Sequence, residues 1–318
     1  MDTMTIITLL VYNTLAYAAP LIFTSIGGTF SERSGVVNVG LEGIMVMGAF
    51  SGIVFNVAFG DYLGGMTPWL ALLVGGGVGL LYASLHAVAT INFGADQVVS
   101  GTVLNLIAPS LAVFLLQVFY NVGRVSTIPT HLEKTSIPLL ADIPIIGEIF
   151  FKNTSLPAFM GIGLAVLAWF VLNKTTFGLR LRSVGENPQA ADTLGISVSA
   201  MRYAGVLISG FLGGIGGAMY AQMFDGGFSG VTIGGQGFIA LAAMIFGRWN
   251  PIGACLSCMF FGFSQALAIV SAQIKSLQHI PSVYFSIAPY VLTILVLAFF
   301  FGKAVAPKAS GENYSKSR

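Results

Sequence analysis

The chain has 318 residues, 55% of them hydrophobic and only 8% charged, with a mean hydropathy of +0.86. Soluble domains carry about 25% charged residues, so a soluble enzyme is excluded. The 14 Lys and Arg against 12 Asp and Glu give a formal charge of +2, spread without a basic run, so the balance gives no sign of nucleic acid and none is expected as a partner.

Stretches free of Asp, Glu, Lys and Arg measure the membrane spans, because one such residue at the bilayer centre costs roughly 3 kcal/mol. The windows long enough to count are 3–31, 43–60, 62–95, 97–123, 153–173, 203–224, 226–247, 249–274 and 276–302. A helix needs about 20 apolar residues to cross. The fold class is therefore all-α, a polytopic membrane protein of about nine (eight to ten) transmembrane helices embedded in lipid. The second window is the shortest and borrows from the apolar run 34–41, across Glu42. The first has no basic n-region and is too long for the apolar core of a signal peptide, so it reads as a span.

Basic residues set the orientation. With the N-terminus outside, nine spans leave 29–36, 91–95, 174–202, 247–250 and the C-terminus in the cytoplasm. Those segments hold ten Lys and Arg, against Arg124, Lys134, Lys152 and Lys275 outside, as the positive-inside rule requires. In the external loop 121–155, the proline-broken run Ile137–Pro144 is too short to span and reads as an interfacial segment. The polar tail 303–318 reads as disordered.

A weak duplication relates Val37–Ile44 (VNVGLEGI) to Val231–Phe238 (VTIGGQGF). It pairs Asn38 with Thr232, Gly40 with Gly234 and Glu42 with Gln236. The copies fall on the second and seventh spans, an odd separation, so the repeat is inverted. Its halves are about 4–121 and 203–302, linked by the span 153–173 and the loop 174–202. Inverted repeats build transporters whose pathway is lined by discontinuous helices. Asn38, Gly40, Glu42, Thr232, Gly234 and Gln236 are thus the candidate pathway residues. For Glu42 two structural roles stand beside that one: pairing with Arg33, and capping a broken helix. The pairs Gly75/Gly79, Gly210/Gly214 and Gly213/Gly217 read instead as close helix contacts.

Asp96 reads as the N-cap of the fourth span, with Gln97 and Asn105 beside it, and His86 as a satisfied interfacial histidine. Cys255 and Cys258 share a helical face, but no His or carboxylate joins them, so no metal site is expected. There is no G-x-x-x-x-G-K-[ST] loop to hold ATP, no chain of membrane carboxylates for proton relay, and no nucleophile near a base. The chain carries no catalytic residue and needs no cofactor.

The cytoplasmic loop 174–202 is long for a connection. Within it, GENPQAADTLG reads as a short helix with Asn187 as N-cap, Pro188 in the first position and Gly195 as the stop. Its small residues suit the groove of another protein.

That segment, in the context GLRLRSVGENPQAADTLGIS, resembles the cytoplasmic coupling segment of bacterial ABC-transporter permeases of the branched-chain amino acid and ribose type. The block ERSGVVNVGLEGIMVMGAF is similar to the nucleoside-uptake subgroup, often labelled simple-sugar permeases. The resemblance covers about 1–302. It implies a permease domain in the bacterial inner membrane that pairs with a second homologous permease, a cytoplasmic ATP-binding subunit and an extracytoplasmic substrate-binding lipoprotein. It also implies that Glu186, Asn187, Pro188, Ala190, Ala191 and Leu194 dock the ATPase. Other sugars or small solutes, and a secondary transporter without an ATPase, remain the alternative functions.

Overall fold

The computed structural model describes residues 3–271 except 133, 139, 145 and 153, then 305–315 and the single positions 284, 287 and 291. Among the described residues the regular structure is helical, and β-type pairing is limited to the isolated bridges Val125–Phe228 and Thr135–Thr154. Six helical segments are long and apolar enough to cross a membrane. They are α1 (Thr3–Arg33), a continuous stretch Leu41–Asn92, α4 (Gln97–Tyr120), α5 (Leu156–Lys174), a stretch from Val198 to Asp225 and α10 (Pro251–Ser271).

The 52 residues of Leu41–Asn92 would measure about 78 Å if straight, more than twice a bilayer core of about 30 Å. The stretch folds back at Gly64, whose φ of +52° suits a residue without a Cβ. Helices α2 (Leu41–Leu63) and α3 (Thr67–Ala87) therefore run antiparallel. Gly48 and Gly52 on α2 face Gly75 and Ala71 on α3.

Helix α8 (Val198–Tyr220) packs at the centre, against α1, α2 and α3. In lipid no hydrophobic drive pulls helices together, so close packing of small residues takes its place. A Cβ built on Gly48 would lie 2.2 Å from the Gly214 carbonyl oxygen, one on Gly79 2.4 Å from that of Gly210, and one on Gly217 1.9 Å from that of Met45. The small-residue pairs are the seams of the bundle, as expected.

The window 226–247 holds only one short helix, α9 (Gln236–Phe246). Eleven residues reach about 16 Å, roughly half the bilayer core. The helix is interrupted there, as the discontinuous-helix reading of the block 231–238 expects: turns and bends over 226–235 are followed by this half helix. Five of those ten residues are glycine, which lowers helix propensity by about 1 kcal/mol each, and Gly226 and Gly235 take positive φ. The last window, 276–302, lies outside the described residues apart from 284, 287 and 291.

In the loop 174–202, α6 (Thr176–Glu186) and α7 (Pro188–Thr193) form side by side. The segments 29–36, 91–95, 174–202 and 247–250 share one face of the bundle. Arg33 Nε donates to the Trp249 carbonyl (2.9 Å), and Gly185 abuts Arg33 and Gly35. The tail joins them, which corrects the expectation of disorder for residues 305–315. Ala309 N donates to Gly185 O (2.9 Å) and Gly311 N to Gly35 O (3.3 Å), because glycines leave those carbonyls open to a second strand of backbone.

Candidate functional site

The connection from α1 to α2, residues 34–40, is not helical. Irregular backbone at membrane depth needs protein partners for its polar groups, and side chains from three neighbouring helices supply them. Gln97 Oε1 accepts from Val37 N (2.6 Å), while His86 Nε2 lies 3.0 Å from Val37 O and its Nδ1 2.9 Å from Ser100 Oγ. Asn38, fully buried, donates through Nδ2 to Ser209 Oγ (3.0 Å) on α8. Asn105 of α4 takes both ends of the turn: its Oδ1 accepts from Gly43 N (2.8 Å) and its Nδ2 donates to Val39 O (2.9 Å). His86 is thus buried and bonded, as read. Asp96 caps α4 through a 2.8 Å bond from Val99 N.

Helix α9 begins beside this turn. Glu42, in the first turn of α2 and 8% exposed, accepts from Gly235 N through Oε1 and from Gly237 N through Oε2, both at 2.6 Å. Gly237 is pressed onto Glu42, where a Cβ would fall 2.5 Å from the Glu42 Cα. Two helices therefore start at one point and leave it in opposite directions. Each start carries unpaired N–H groups and a partial positive charge of about half a unit. Left facing each other, two such ends would repel. The carboxylate between them offsets both, which explains an acidic residue inside an apolar bundle. The start of α9 is separated from the turn at 247 by eleven helical residues, about 16 Å of helix.

Of the two structural roles weighed for Glu42, helix capping is the one observed. Arg33 bonds to the carbonyls of Trp249 and Arg248 instead, at the α9–α10 turn, where the Trp249 indole also donates to Glu32. The structure joins Glu42 to the segment Gly234–Gly237. Gly234 is exposed and Gln236 half-buried. Gln236 Nε2 donates to the Tyr220 hydroxyl (2.8 Å) and its Oε1 accepts from Gly234 N (2.6 Å). Gly40 is the last residue before α2 and packs on Gly101 of α4.

Asn38 and Thr232 stand apart from that group. Asn38 is turned into α8, and the Thr232 hydroxyl bonds to Asp225 and Ser229 in its own turn. Both are buried, so neither presents its polar group to an open surface. Ser209 and Tyr220, which hold Asn38 and Gln236, carry no signal in the sequence beyond being polar in an apolar helix.

The short helix α7 forms as read from the sequence. Asn187 Oδ1 accepts from Ala190 N (3.0 Å), Pro188 occupies the first turn, and Gly195 ends the segment at φ +78°. Its facing divides the six residues expected to dock. Ala191 (2% exposed) packs with Val184 and Val198 in a small cluster, and Pro188 is buried too. With helical spacing, the opposite side presents Glu186, Asn187, Gln189, Ala190, Thr193 and Leu194, the last 79% exposed.

A family model described as branched-chain amino acid transport system / permease component matches residues 10–297. The nucleoside ABC transporter permease protein NupC of Lactococcus lactis is 61% identical over 318 residues, all of both chains. The guanosine ABC transporter permease protein NupQ of Bacillus subtilis is 51% identical over the same length, again all of both. The putative glucose ABC transporter permease protein TsgC13 of Haloferax volcanii is 32% identical over 82% of this chain and 77% of its own. A helical bundle whose polar side chains hold two helix starts together suits that company, and the chain belongs to the branched-chain amino acid transport system permease family.

Proposed function

We propose that this chain is the membrane-spanning subunit of an ABC importer for nucleosides, crossing the inner membrane nine times with its N-terminus outside. The observation that carries the reading is the Glu42 bridge, where two helix starts meet beside the exposed Gly234. Full-length identity of 61% and 51% to permeases whose names specify nucleosides and guanosine supports the substrate class. Glucose stands in the name of a relative at 32%, so a sugar is the second reading.

The ninth crossing is supported by the charge-free window 276–302 of the sequence, which lies outside the described residues apart from 284, 287 and 291. The inverted repeat is supported by the two related blocks, which both sit where irregular backbone enters a helix, and by α1–α2–α3 and α8–α9–α10 running in opposite senses. On this reading Gly40, Glu42, Gly234 and Gln236 border the pathway, while Asn38 and Thr232 hold its walls. Passage needs only weak hydrogen bonds to hydroxyls or base edges, since tight binding would slow release.

The partners are a second homologous permease, an extracytoplasmic binding lipoprotein and a cytoplasmic ATP-binding subunit that receives α7. Guanosine uptake by the reconstituted complex tests the whole reading. It should require ATP and be blocked by excess unlabelled nucleoside but not by glucose. Uptake by this chain without the ATP-binding subunit would make it a secondary transporter. The docking face has its own test: Glu186→Arg with Ala190→Arg should lower uptake more than tenfold at unchanged membrane abundance, because two long cations cannot fit where a partner closes on small residues. Normal uptake and assembly would remove α7 from the interface.

A further inference from the structure

Residues 305–315 cross the face that carries α6 and α7, and they bond to five separate parts of the chain. Ala309, buried, donates its N–H to Gly185 O at the end of α6. Gly311, at φ +86°, donates to Gly35 O in the turn that leads to Glu42. The Glu312 carbonyl accepts from Arg202 Nη1 (2.9 Å) at the base of α8, and Asn313 Nδ2 donates to Gly94 O (2.6 Å) between α3 and α4. Tyr314 packs on the Val184, Ala191 and Val198 cluster, and its hydroxyl bonds to Asp192 of α7.

Arg202 makes this arrangement costly to undo. Arg202 is 2% exposed, and its Nε and Nη2 find no acceptor, so the Glu312 carbonyl is the acceptor its guanidinium has among the described residues. A buried cation without any acceptor is strongly unfavourable. The segment that supplies that acceptor is therefore held in place. Gly185 is itself in contact with Arg33 and Gly35, since a Cβ there would lie 2.2 Å from Arg33 O. A continuous line of contacts thus runs from α7 through Asp192, Tyr314 and Gly311 to Gly35, and along 35–40 to Glu42 and the start of α9.

We propose that residues 305–315 are a coupling strap, a positioning element that makes the docking helix α7 and the Glu42 turn move as one body. The proposal rests on the ABC-permease reading and deepens it: displacement of α7 by the ATP-binding subunit is carried by the strap to the helix starts at Glu42. Without the strap, α7 would still dock and ATP would still be hydrolysed, but the motion would be spent in the α6–α7 loop.

The test is the ratio of guanosine taken up to ATP hydrolysed in proteoliposomes holding the complete complex. A chain ending at Ala304 should keep the ATP-binding subunit and its hydrolysis yet lose uptake at least tenfold. Tyr314→Phe, which removes only the hydroxyl bond to Asp192, should lower the ratio a few fold. An element that served stability alone would lower both activities together with abundance, leaving their ratio unchanged, and that result overturns the strap. If the shortened chain does not accumulate, Ala309→Asp and Tyr314→Phe are read by the same ratio with the same two outcomes. The α7 variant Glu186→Arg with Ala190→Arg separates the two readings. If it leaves uptake and ATPase binding intact, the docking assignment fails; if it blocks them while the strap variants behave as wild type, only the strap fails.

Discussion

Glu42→Leu is expected to abolish uptake. Leucine has no acceptor for the Gly235 and Gly237 N–H groups, both bonded to Glu42 at 2.6 Å, and each unpaired buried donor costs about 1–3 kcal/mol. The variant also leaves two helix starts facing each other without the intervening charge. A loss of even 1.4 kcal/mol is tenfold in the population of the intact junction, so uptake should fall well beyond tenfold. Glu42→Gln keeps one carbonyl acceptor and turns an NH2 group toward the other donor. It should keep measurable uptake, between wild type and Glu42→Leu. Arg33→Gln touches a different site, the carbonyls of Trp249 and Arg248, and should not reproduce the Glu42 pattern. Uptake and membrane abundance of the three variants decide the matter: wild-type uptake by Glu42→Leu at normal abundance would show that the bridge is dispensable.

Gly217→Ala should cost more folded protein than any other single methyl group added in the bundle. Its Cβ would stand 1.9 Å from the Met45 carbonyl oxygen, which is backbone and cannot rotate away, so α2 and α8 must separate by about 1 Å or more. Overpacking of that kind costs about 1–3 kcal/mol or more, and parting this seam also disturbs the neighbouring contacts of Gly48 and Gly214. Thermal unfolding in detergent should shift clearly downward, and abundance should drop several fold. Gly77→Ala is the control, on the neighbouring glycine-rich helix α3. Nothing lies within 4 Å of its Cβ, and alanine gains about 1 kcal/mol of helix propensity over glycine. Its melting temperature should be equal or higher. Equal behaviour of the two variants would show that the α2–α8 seam is not tightly closed.

What the sequence could determine by itself was whatever depends on neighbours a few residues away or on the bilayer. The charge-free windows located α1 to α5, α8 and α10 because charge is excluded from the bilayer centre. Asp96, Asn187 and Gly195 were readable as helix ends because each bonds or bends within three residues of itself. The small-residue pairs were readable as seams because spacing of four puts both glycines on one helix face. The tertiary structure decided the rest. Glu42 finds its partners 193 and 195 residues away, so a carboxylate equally suited to Arg33 or to a helix start could be assigned only once both were in place. Asn38 and Thr232 read as pathway residues in the sequence; only the structure shows both buried, bonded to Ser209 and Asp225. The periodicity of α7 is too short to show which side is buried; packing on Val184 and Val198 turned Ala191 inward and left Ala190 and Leu194 outside. The tail has the polar composition of a disordered segment. It is ordered over 305–315 because Gly35, Gly185 and the buried Arg202, all distant in sequence, supply backbone and charge partners that composition cannot reveal.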